Sequence, residues 1–471
     1  MQTTMLRRWV LFLALATPLC AQQDAAYVEA HPPRESTGLA PLPDLGTSLY
    51  LGEQGGLYPG GRNTPPDAHR NAGLMLAGRI VPLDAEGKPA ETGRIVLLSI
   101  GMSNTTQEFT AFQQLAARET GLNPKLAIVD GAQGGQTARI TANPKANFWN
   151  VVEQRLSAAG VTGRQVEVVW LKQANAQPSA AFPAEARRLE ADIVATLHNL
   201  HDRFPNLKNA YLSSRIYGGY AATPLNPEPH AFETAFAVKW AISDQIAGSA
   251  ELNYDAAKGA VRSPWIAWGP YLWADGTKGR KQDGLVYLRE DLGSDGTHPS
   301  DSGRRKVALQ LLEFLKTDVT SKPWFLAASP LQKLEFLLGK WTGIAGENDT
   351  PLGAGQGEFT YELQLNQKIV VRHNYAEYTT APRHDDLMVI YLDPPDDSPR
   401  AIYFDSEGHI IRYYLTFPSA DHVVFESDGT QPGPRYRLSH WLDRGSLKGK
   451  FEVAPPGGEY KAYMTWTSKK N

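Results

Sequence analysis

Two spacings of apolar residues divide the chain into regions of different character. Between residues 94 and 269, short continuous apolar runs alternate with longer segments whose apolar residues recur at helical spacing. The runs are RIVLLSI (94–100), KLAIVD (125–130), QVEVVWL (165–171), NAYLSS (209–214) and SPWIAWG (263–269). The helical segments cover residues 106–119, 148–159 and 184–204. Buried strands that alternate with helices predict a parallel sheet covered by helices on both faces.

The pattern changes beyond residue 336. About nine short segments of alternating polar and apolar residues follow, separated by Gly, Pro, Asp or Asn, which predicts an antiparallel barrel or sandwich. The resulting organisation is a Gly/Pro-rich lead-in packed on the first domain (22–93), an α/β domain (94–325), a linker (326–336) and an all-β domain (337–471).

The first 21 residues have the pattern of a secretory signal peptide. Arg7 and Arg8 precede an apolar run over residues 9–16, and the small residue Ala21 precedes polar sequence. We therefore expect a secreted or periplasmic protein. The only cysteine, Cys20, leaves lipoprotein processing as an alternative, although the preceding Thr-Pro-Leu is a poor approach to a lipidated cysteine. Cleavage after Ala21 would leave no cysteine for a disulfide or a metal site.

Composition and charge exclude several classes of protein. The 471 residues are 42% hydrophobic and 21% charged, as in a soluble globular protein. The net charge is only −3, from 47 basic and 50 acidic residues, so nothing favours nucleic acid or an anionic membrane as a partner. No run outside the N-terminus suggests a membrane span.

Polar and glycine residues follow three of the predicted strands. Ser103 comes directly after the first run and before a helix, a position that suits either a nucleophile or a helix cap. After the second run lie Gly131, Gly134 and Gly135, which suit a phosphate cradle, an oxyanion hole or a tight turn. Asn175 follows the third run, where its amide suits an oxyanion donor or ordinary turn chemistry.

The stretch DGTHPSDSG (295–303) adds a second chemical group ahead of the last helix. His298 has the chemistry of a general base, and Asp295 could orient its imidazole. Such a pair in a loop is often incidental, and two ligands are too few for a metal site.

Taken in order, these blocks resemble the SGNH/GDSL hydrolase family over residues 94–318. The resemblance implies a three-layer α/β/α fold of flavodoxin-like type and ester hydrolysis, commonly of acetyl groups on carbohydrates, without metal or cofactor. It also implies roles: Ser103 as nucleophile and oxyanion donor, Gly135 and Asn175 as further oxyanion donors, His298 as base and Asp295 as its orienting partner.

The chain departs from the family pattern at two blocks. The usual Gly-Asp-Ser is Gly101-Met102-Ser103, followed by Asn104, as in carbohydrate acetylesterase branches. The usual Gly-Asn-Asp is replaced around Asn175 by Gln-Ala-Asn-Ala.

Several residues are candidates for the substrate pocket, although aromatic residues near sheet ends are more often packing. The substrate-binding candidates are Gly134, Arg215, Tyr217, Tyr271 and Trp273, with Tyr220, Trp268, His230 and Glu233 as further possibilities.

The C-terminal domain, which begins LGKWTG and contains YFDSEGHIIRYYL, resembles lipocalin-like barrels and the nitrobindin-related family. The resemblance implies an apolar ligand within the barrel, unless the barrel is filled by its own side chains. No histidine follows His440, and His373, His384, His409 and His422 are scattered along the sequence, so we expect neither heme nor a metal.

The sequence thus predicts a secreted serine esterase that deacetylates a carbohydrate or other glycan ester, followed by a β-barrel domain. The alternative is a non-catalytic secreted protein that binds a glycan or small ligand through a degenerate hydrolase domain.

Overall fold

The computed structural model describes residues 26–327, 329–365, 368–394, 397–429 and 433–471. The predicted signal peptide lies outside these residues. The chain forms two compact units, divided between Ala327 and Ala328. The first contains a parallel sheet with helices and the second a closed antiparallel barrel, so the predicted fold class is confirmed.

The sheet of the first unit contains five parallel strands. After a short hairpin of β1 (Leu49–Tyr50) and β2 (Glu53–Gln54), its strands are β3 (Ile95–Gly101), β4 (Leu126–Asp130), β5 (Val166–Lys172), β6 (Asn209–Ser213) and β7 (Trp265–Trp268). Their spatial order is β4-β3-β5-β6-β7, the flavodoxin-like order. The chain passes from β3 to β4 on one side and then crosses back to β5 on the other side of β3. Ligands of such folds bind at the carboxyl ends of the strands beside this reversal.

Helices cover the sheet. They are α1 (Leu42–Leu45), α2 (Asp67–Ala77), α3 (Ser103–Ala116), α4 (Ala138–Thr141), α5 (Asn147–Ala158), α6 (Ala184–Arg203), α7 (His230–Ile246), α8 (Asp301–Thr317) and α9 (Lys322–Phe325). Helix α3 packs against α8, whereas α6 packs against α4 and α7. Every residue of β3 and β5 is buried, as expected of central strands covered on both faces.

The Gly/Pro-rich lead-in is more ordered than its composition predicts. It contains helix α2, which begins after two prolines with Asp67 in its first turn, where a carboxylate favours the helix dipole. Gly73 lies against the indole of Trp265, and a Cβ built on Gly73 would come within 2.3 Å of that ring. The small residues that resemble loop composition therefore allow close packing of a helix on the sheet.

The barrel of the second unit has ten strands in a closed ring. They are β8 (Gly339–Ala345), β9 (Gly355–Gln364), β10 (Ile369–Tyr378), β11 (His384–Asp393), β12 (Ser398–Asp405), β13 (Ile410–Ser419), β14 (His422–Ser427), β15 (Arg435–Asp443), β16 (Ser446–Ala454) and β17 (Lys461–Lys470). Consecutive strands pair antiparallel, and β17 pairs with β8 to close the ring. The predicted linker is partly structured, because the 3-10 helix Pro330–Leu337 buries Leu331 and Leu334 in the barrel core.

Short 3-10 helices complete the described structure; besides Pro330–Leu337 they are Pro59–Gly61, Gly163–Gln165, Ala250–Leu252, Ala256–Lys258 and Arg289–Asp291. Among the described helices, none has the length and apolar character needed to cross a bilayer.

Candidate active site

A chain of hydrogen bonds joins Ser103, His298 and Asp295. The Ser103 Oγ lies 2.7 Å from His298 Nε2, and His298 Nδ1 lies 2.5 Å from Asp295 Oδ2. When Nδ1–H donates to Asp295, Nε2 is left to accept the serine proton. The side chains of His298 and Asp295 are 30% and 33% exposed, so solvent reaches the site.

The fold holds Asp295 as a carboxylate. Its Oδ1 accepts hydrogen bonds of 3.0 Å from the backbone N–H groups of both Thr297 and His298. Burial on its own would raise the pKa of Asp295, but the hydrogen bonds from the His298 side chain and from these two N–H groups hold the pKa well below its usual range. A permanent negative charge therefore faces the Nδ1 side of His298.

The loop that carries His298 is fixed on two sides. The Asn104 side chain donates from Nδ2 to the Thr297 carbonyl at 2.9 Å, which ties the loop to the helix that begins at Ser103. On the other side, the Ala222 N–H donates to the Asp295 carbonyl at 2.8 Å. Gly296 has φ +64°, and a Cβ there would come within 1.7 Å of the Tyr220 carbonyl oxygen, so only glycine fits.

Backbone N–H groups beside Ser103 are free to bind an anion. Within the described residues, the N–H groups of Ser103, Gly134 and Gly135 donate to no protein acceptor. A Cβ built on Gly134 would lie 4.0 Å from the Cβ of Ser103, which places this turn next to the serine. Gly135 has φ +74°, which favours glycine. Free donors at a helix start and an adjacent turn form the kind of pocket that stabilises an oxyanion.

The remaining oxyanion candidate, Asn175, makes other contacts. Its Nδ2 donates to Asp192 Oδ2 on α6 at 2.8 Å, and its Oδ1 accepts from the Arg139 N–H at 3.1 Å. None of the described hydrogen bonds links this amide to Ser103 or His298. The Asn175 amide therefore ties α4 and α6 to the segment that follows β5.

Most of the aromatic pocket candidates lie in the core. Tyr217, Tyr271 and Trp273 are at most 6% exposed. The Tyr217 hydroxyl donates to the Arg34 carbonyl, the Tyr271 hydroxyl accepts from the Leu42 N–H, and Trp273 Nε1 donates to Glu228. Tyr220 and Trp268 are buried as well. For these aromatic candidates the structure favours packing over a place in the substrate pocket, because their rings are buried and their polar atoms are hydrogen-bonded.

The other pocket candidates differ among themselves. Arg215 is 4% exposed and its Nε has no hydrogen-bond partner. Burial lowers the pKa of the Arg215 guanidinium, a shift that the carboxylates of Glu108, Glu228 and Asp295 oppose. His230 and Glu233 lie together at a small separate pocket, with Nδ1 of the imidazole 3.2 Å from Oε2 of the carboxylate.

Sequence reasoning missed a buried ion pair beneath the site. Lys172, the last residue of β5, bonds Glu108 on α3, and both side chains are no more than 1% exposed. Burial lowers the pKa of Lys172 to about 8, although the charge of Glu108 opposes this. The available signal was a charged residue at a position expected to be buried in each of the two elements.

The barrel encloses a separate cavity of about 500 Å³. Aromatic side chains form much of its wall: Phe359, Tyr413, Tyr436, Phe451 and Trp466. Arg372 and Asp386 also line it, and they form an ion pair with Nη1 and Oδ1 2.6 Å apart. The barrel is therefore not filled by its own side chains.

Two of the histidines that are scattered along the sequence, His384 and His409, both line this cavity. His384 Nδ1 lies 2.8 Å from Glu407, and its Nε2 lies 2.9 Å from the Tyr403 hydroxyl. His409 Nδ1 lies 2.9 Å from Asp405. Donor atoms of His384, Asp405 and Glu407 come within 4.8 Å of one another, close enough to share a divalent cation. They are satisfied as hydrogen-bonded ion pairs, however, so the cluster needs no cation.

Comparisons with known proteins find solved structures that each match about a third of this chain. No family model matches the chain, and no curated protein matches it. Among solved structures, Rv2717c from M. tuberculosis is 12% identical, with 31% of this chain and 98% of that chain covered and a TM-score of 0.24. Secretory abundant heat soluble protein 4 from Ramazzottius varieornatus is 13% identical, with coverages of 29% and 94% and a TM-score of 0.19. A de novo designed fluorescence-activating β-barrel is 12% identical, with coverages of 29% and 95% and a TM-score of 0.17. TM-scores this low do not indicate the function of this chain.

Proposed function

We propose that the α/β unit is a serine esterase of SGNH type, acting on an acetyl ester of a carbohydrate or other glycan. The observation that carries this proposal is the continuous hydrogen-bonded chain from Ser103 through His298 to Asp295. The free N–H groups of Ser103, Gly134 and Gly135 beside the serine add to it. The substrate class comes from the family resemblance.

The chemistry follows from these positions. Ser103 Oγ attacks the ester carbonyl carbon while its proton passes to His298 Nε2, and Asp295 stabilises the imidazolium. The carbonyl oxygen becomes an oxyanion that accepts hydrogen bonds from the three N–H groups. Collapse expels the alcohol, which takes the proton from His298. Water then attacks the acyl-serine through the same base and releases the acid.

Hydrolysis of an aryl acetate by the purified full chain tests this proposal. We expect Ser103→Ala to lower the rate by about a thousandfold or more, because the nucleophile is lost. Ser419→Ala, an exposed serine at the end of β13, serves as the matched control and should leave the rate unchanged. Equal rates for wild type and Ser103→Ala would favour the alternative, a non-catalytic binding protein.

The proposal includes export from the cytoplasm. Its support is the sequence pattern of residues 1–21, with Arg7 and Arg8 ahead of an apolar run. N-terminal sequencing of protein recovered from the expressing host's periplasm or medium should begin at Gln22. A lipid-modified Cys20 at the new N-terminus would contradict cleavage after Ala21.

A further inference from the structure

The free N–H groups beside Ser103 come from two different elements of the fold. Ser103 begins α3, whereas Gly134 and Gly135 lie in the turn that follows β4. The register of β3 and β4 ends at the pair of Ser99 and Asp130, so strand pairing alone does not reach the two glycines. The turn therefore depends on contacts of its own to hold its free N–H groups beside the serine.

Two peptide units at the start of this turn are held on both sides. Arg155 Nη1, on α5, donates to the Asp130 carbonyl at 2.9 Å and to the Ala132 carbonyl at 2.6 Å. The N–H groups of the same two peptide units belong to Gly131 and Gln133, and they donate to carbonyls of β3 at 3.1 and 3.0 Å. The C=O and N–H of a trans peptide point in opposite directions. Arg155 and β3 therefore fix both peptide planes from opposite sides.

The free donors follow these two peptide units directly. Among the described residues, the N–H groups of Gly134 and Gly135 donate to no protein acceptor. Hydrogen bonding resumes at Gln136, whose N–H donates to the Gln133 carbonyl at 3.3 Å. The direction of the two free N–H groups is therefore set by the peptide planes that Arg155 holds.

The carboxylate of Asp130 joins the turn to the helix of the nucleophile. Its Oδ1 accepts from the Ala132 N–H at 3.1 Å, and its Oδ2 accepts from the hydroxyl of Thr106 on α3. Arg155 Nη1 lies 3.6 Å from the same Oδ2. The guanidinium thus also offsets a negative charge that would oppose the formation of an oxyanion at the neighbouring turn.

We propose that Arg155 is a positioning residue of the esterase, which orients the N–H groups of Gly134 and Gly135 toward the oxyanion. The inference rests on the proposed function and extends it to a helix, α5, that carries none of the triad residues. When the Ser103 Oγ bonds the ester carbon, its proton passes to His298 and the carbonyl electron pair moves to the oxygen that the turn must meet. Loss of Arg155 should therefore slow this step and leave ester binding intact.

Steady-state hydrolysis of an aryl acetate by the full-length protein tests the inference. We expect Arg155→Met to lower kcat about 10- to 100-fold and to leave KM within about twofold, because misplaced donors weaken only the transition state. Arg155→Lys keeps a cation that can reach the carbonyls and should lose only about three- to tenfold. The matched control is Arg203→Met, which removes an exposed arginine bond to the Pro144 carbonyl and should leave kcat unchanged. A wild-type kcat in Arg155→Met would overturn the inference while leaving the esterase in place.

A trifluoromethyl ketone separates oxyanion binding from a general loss of structure. It adds to Ser103 as a hemiketal: Oγ bonds the ketone carbon, the hydroxyl proton passes to His298, and the ketone oxygen becomes an oxyanion in the pocket. We expect its affinity to fall by about the same factor as kcat in both Arg155→Met and Arg155→Lys. A lower kcat with unchanged ketone affinity in the lysine variant would contradict the role of Arg155. Absence of hydrolysis by the wild type would instead refute the proposed esterase, and this inference with it.

Discussion

The histidines of the two units have opposite surroundings. His298 has a carboxylate at Nδ1 and a serine hydroxyl at Nε2, so one nitrogen stays available to take a proton. His384 has acceptors at both nitrogens, Glu407 at Nδ1 and Asp386 with the Tyr403 hydroxyl at Nε2. Its hydrogen bonds with Asp386 and Glu407 raise the pKa of His384 to about 9. A histidine beside a carboxylate is therefore poised as a base only where its second nitrogen faces a nucleophile.

Replacement of each histidine provides the largest test of this contrast. We expect His298→Gln to lower kcat for an aryl acetate by about 10³- to 10⁴-fold, because the imidazole that is hydrogen-bonded to the Ser103 hydroxyl is lost. His384→Gln should leave kcat within about twofold. Steady-state kinetics on the full chain measures both, and similar losses in the two variants would contradict the contrast.

The buried ion pair of Lys172 and Glu108 should contribute strongly to the free energy of unfolding of the first unit. Lys172→Met removes the hydrogen-bonded cationic partner of the buried Glu108, and we expect the free energy of unfolding to fall by about 3–5 kcal/mol. The double variant Lys172→Met/Glu108→Leu should recover most of this loss. Urea unfolding measures the change, with Arg70→Met as control, because its pair with Asp67 is exposed and contributes at most about 1 kcal/mol.

The raised pKa of His384 predicts a pH dependence in the barrel. Because the folded pKa of about 9 exceeds the ordinary value of 6.5, the stabilisation is fully present below pH 6.5 and is lost as pH rises through 9. We expect His384→Gln to lower barrel stability by about 1–3 kcal/mol at pH 6 and much less at pH 9.5. Urea unfolding of the full chain at both pH values measures this, and an equal cost at both would contradict a protonated His384.

The smallest expected effect concerns the tie between α3 and the His298 loop. Asn104→Ala removes the hydrogen bond to the Thr297 carbonyl, and we expect kcat to fall about tenfold with little change in KM, because the base is less well positioned. The control is Asn63→Ala, which removes a comparable but exposed bond to the Pro43 carbonyl. An equal, minor effect of both variants would show that the tie does not position His298.

The sequence predicted the fold of each unit and the pairing of Asp295 with His298, but not the surroundings of His384. Continuous apolar runs predicted a parallel sheet, because strands buried on both faces are apolar at every position. Alternating segments predicted a barrel, because strands buried on one face are apolar at every second position. The Asp295–His298 spacing predicted their proximity because a short turn brings them together. The His384 cluster was missed because its members come from neighbouring strands, so their meeting depends on strand register. The buried aromatic residues were misjudged because position along the chain does not reveal which face of a loop is covered.

Covalent trapping tests most directly whether Ser103 is a nucleophile that His298 activates. A small alkyl fluorophosphonate reacts with a serine whose proton can pass to an adjacent base, so labelling reports the activated nucleophile without any knowledge of the natural ester. Peptide mass spectrometry of the full-length protein should place one adduct on Ser103, and His298→Gln should slow its formation by at least about a hundredfold. No adduct, an adduct on another serine, or labelling of Ser103 at an unchanged rate in His298→Gln would contradict the proposed catalytic triad.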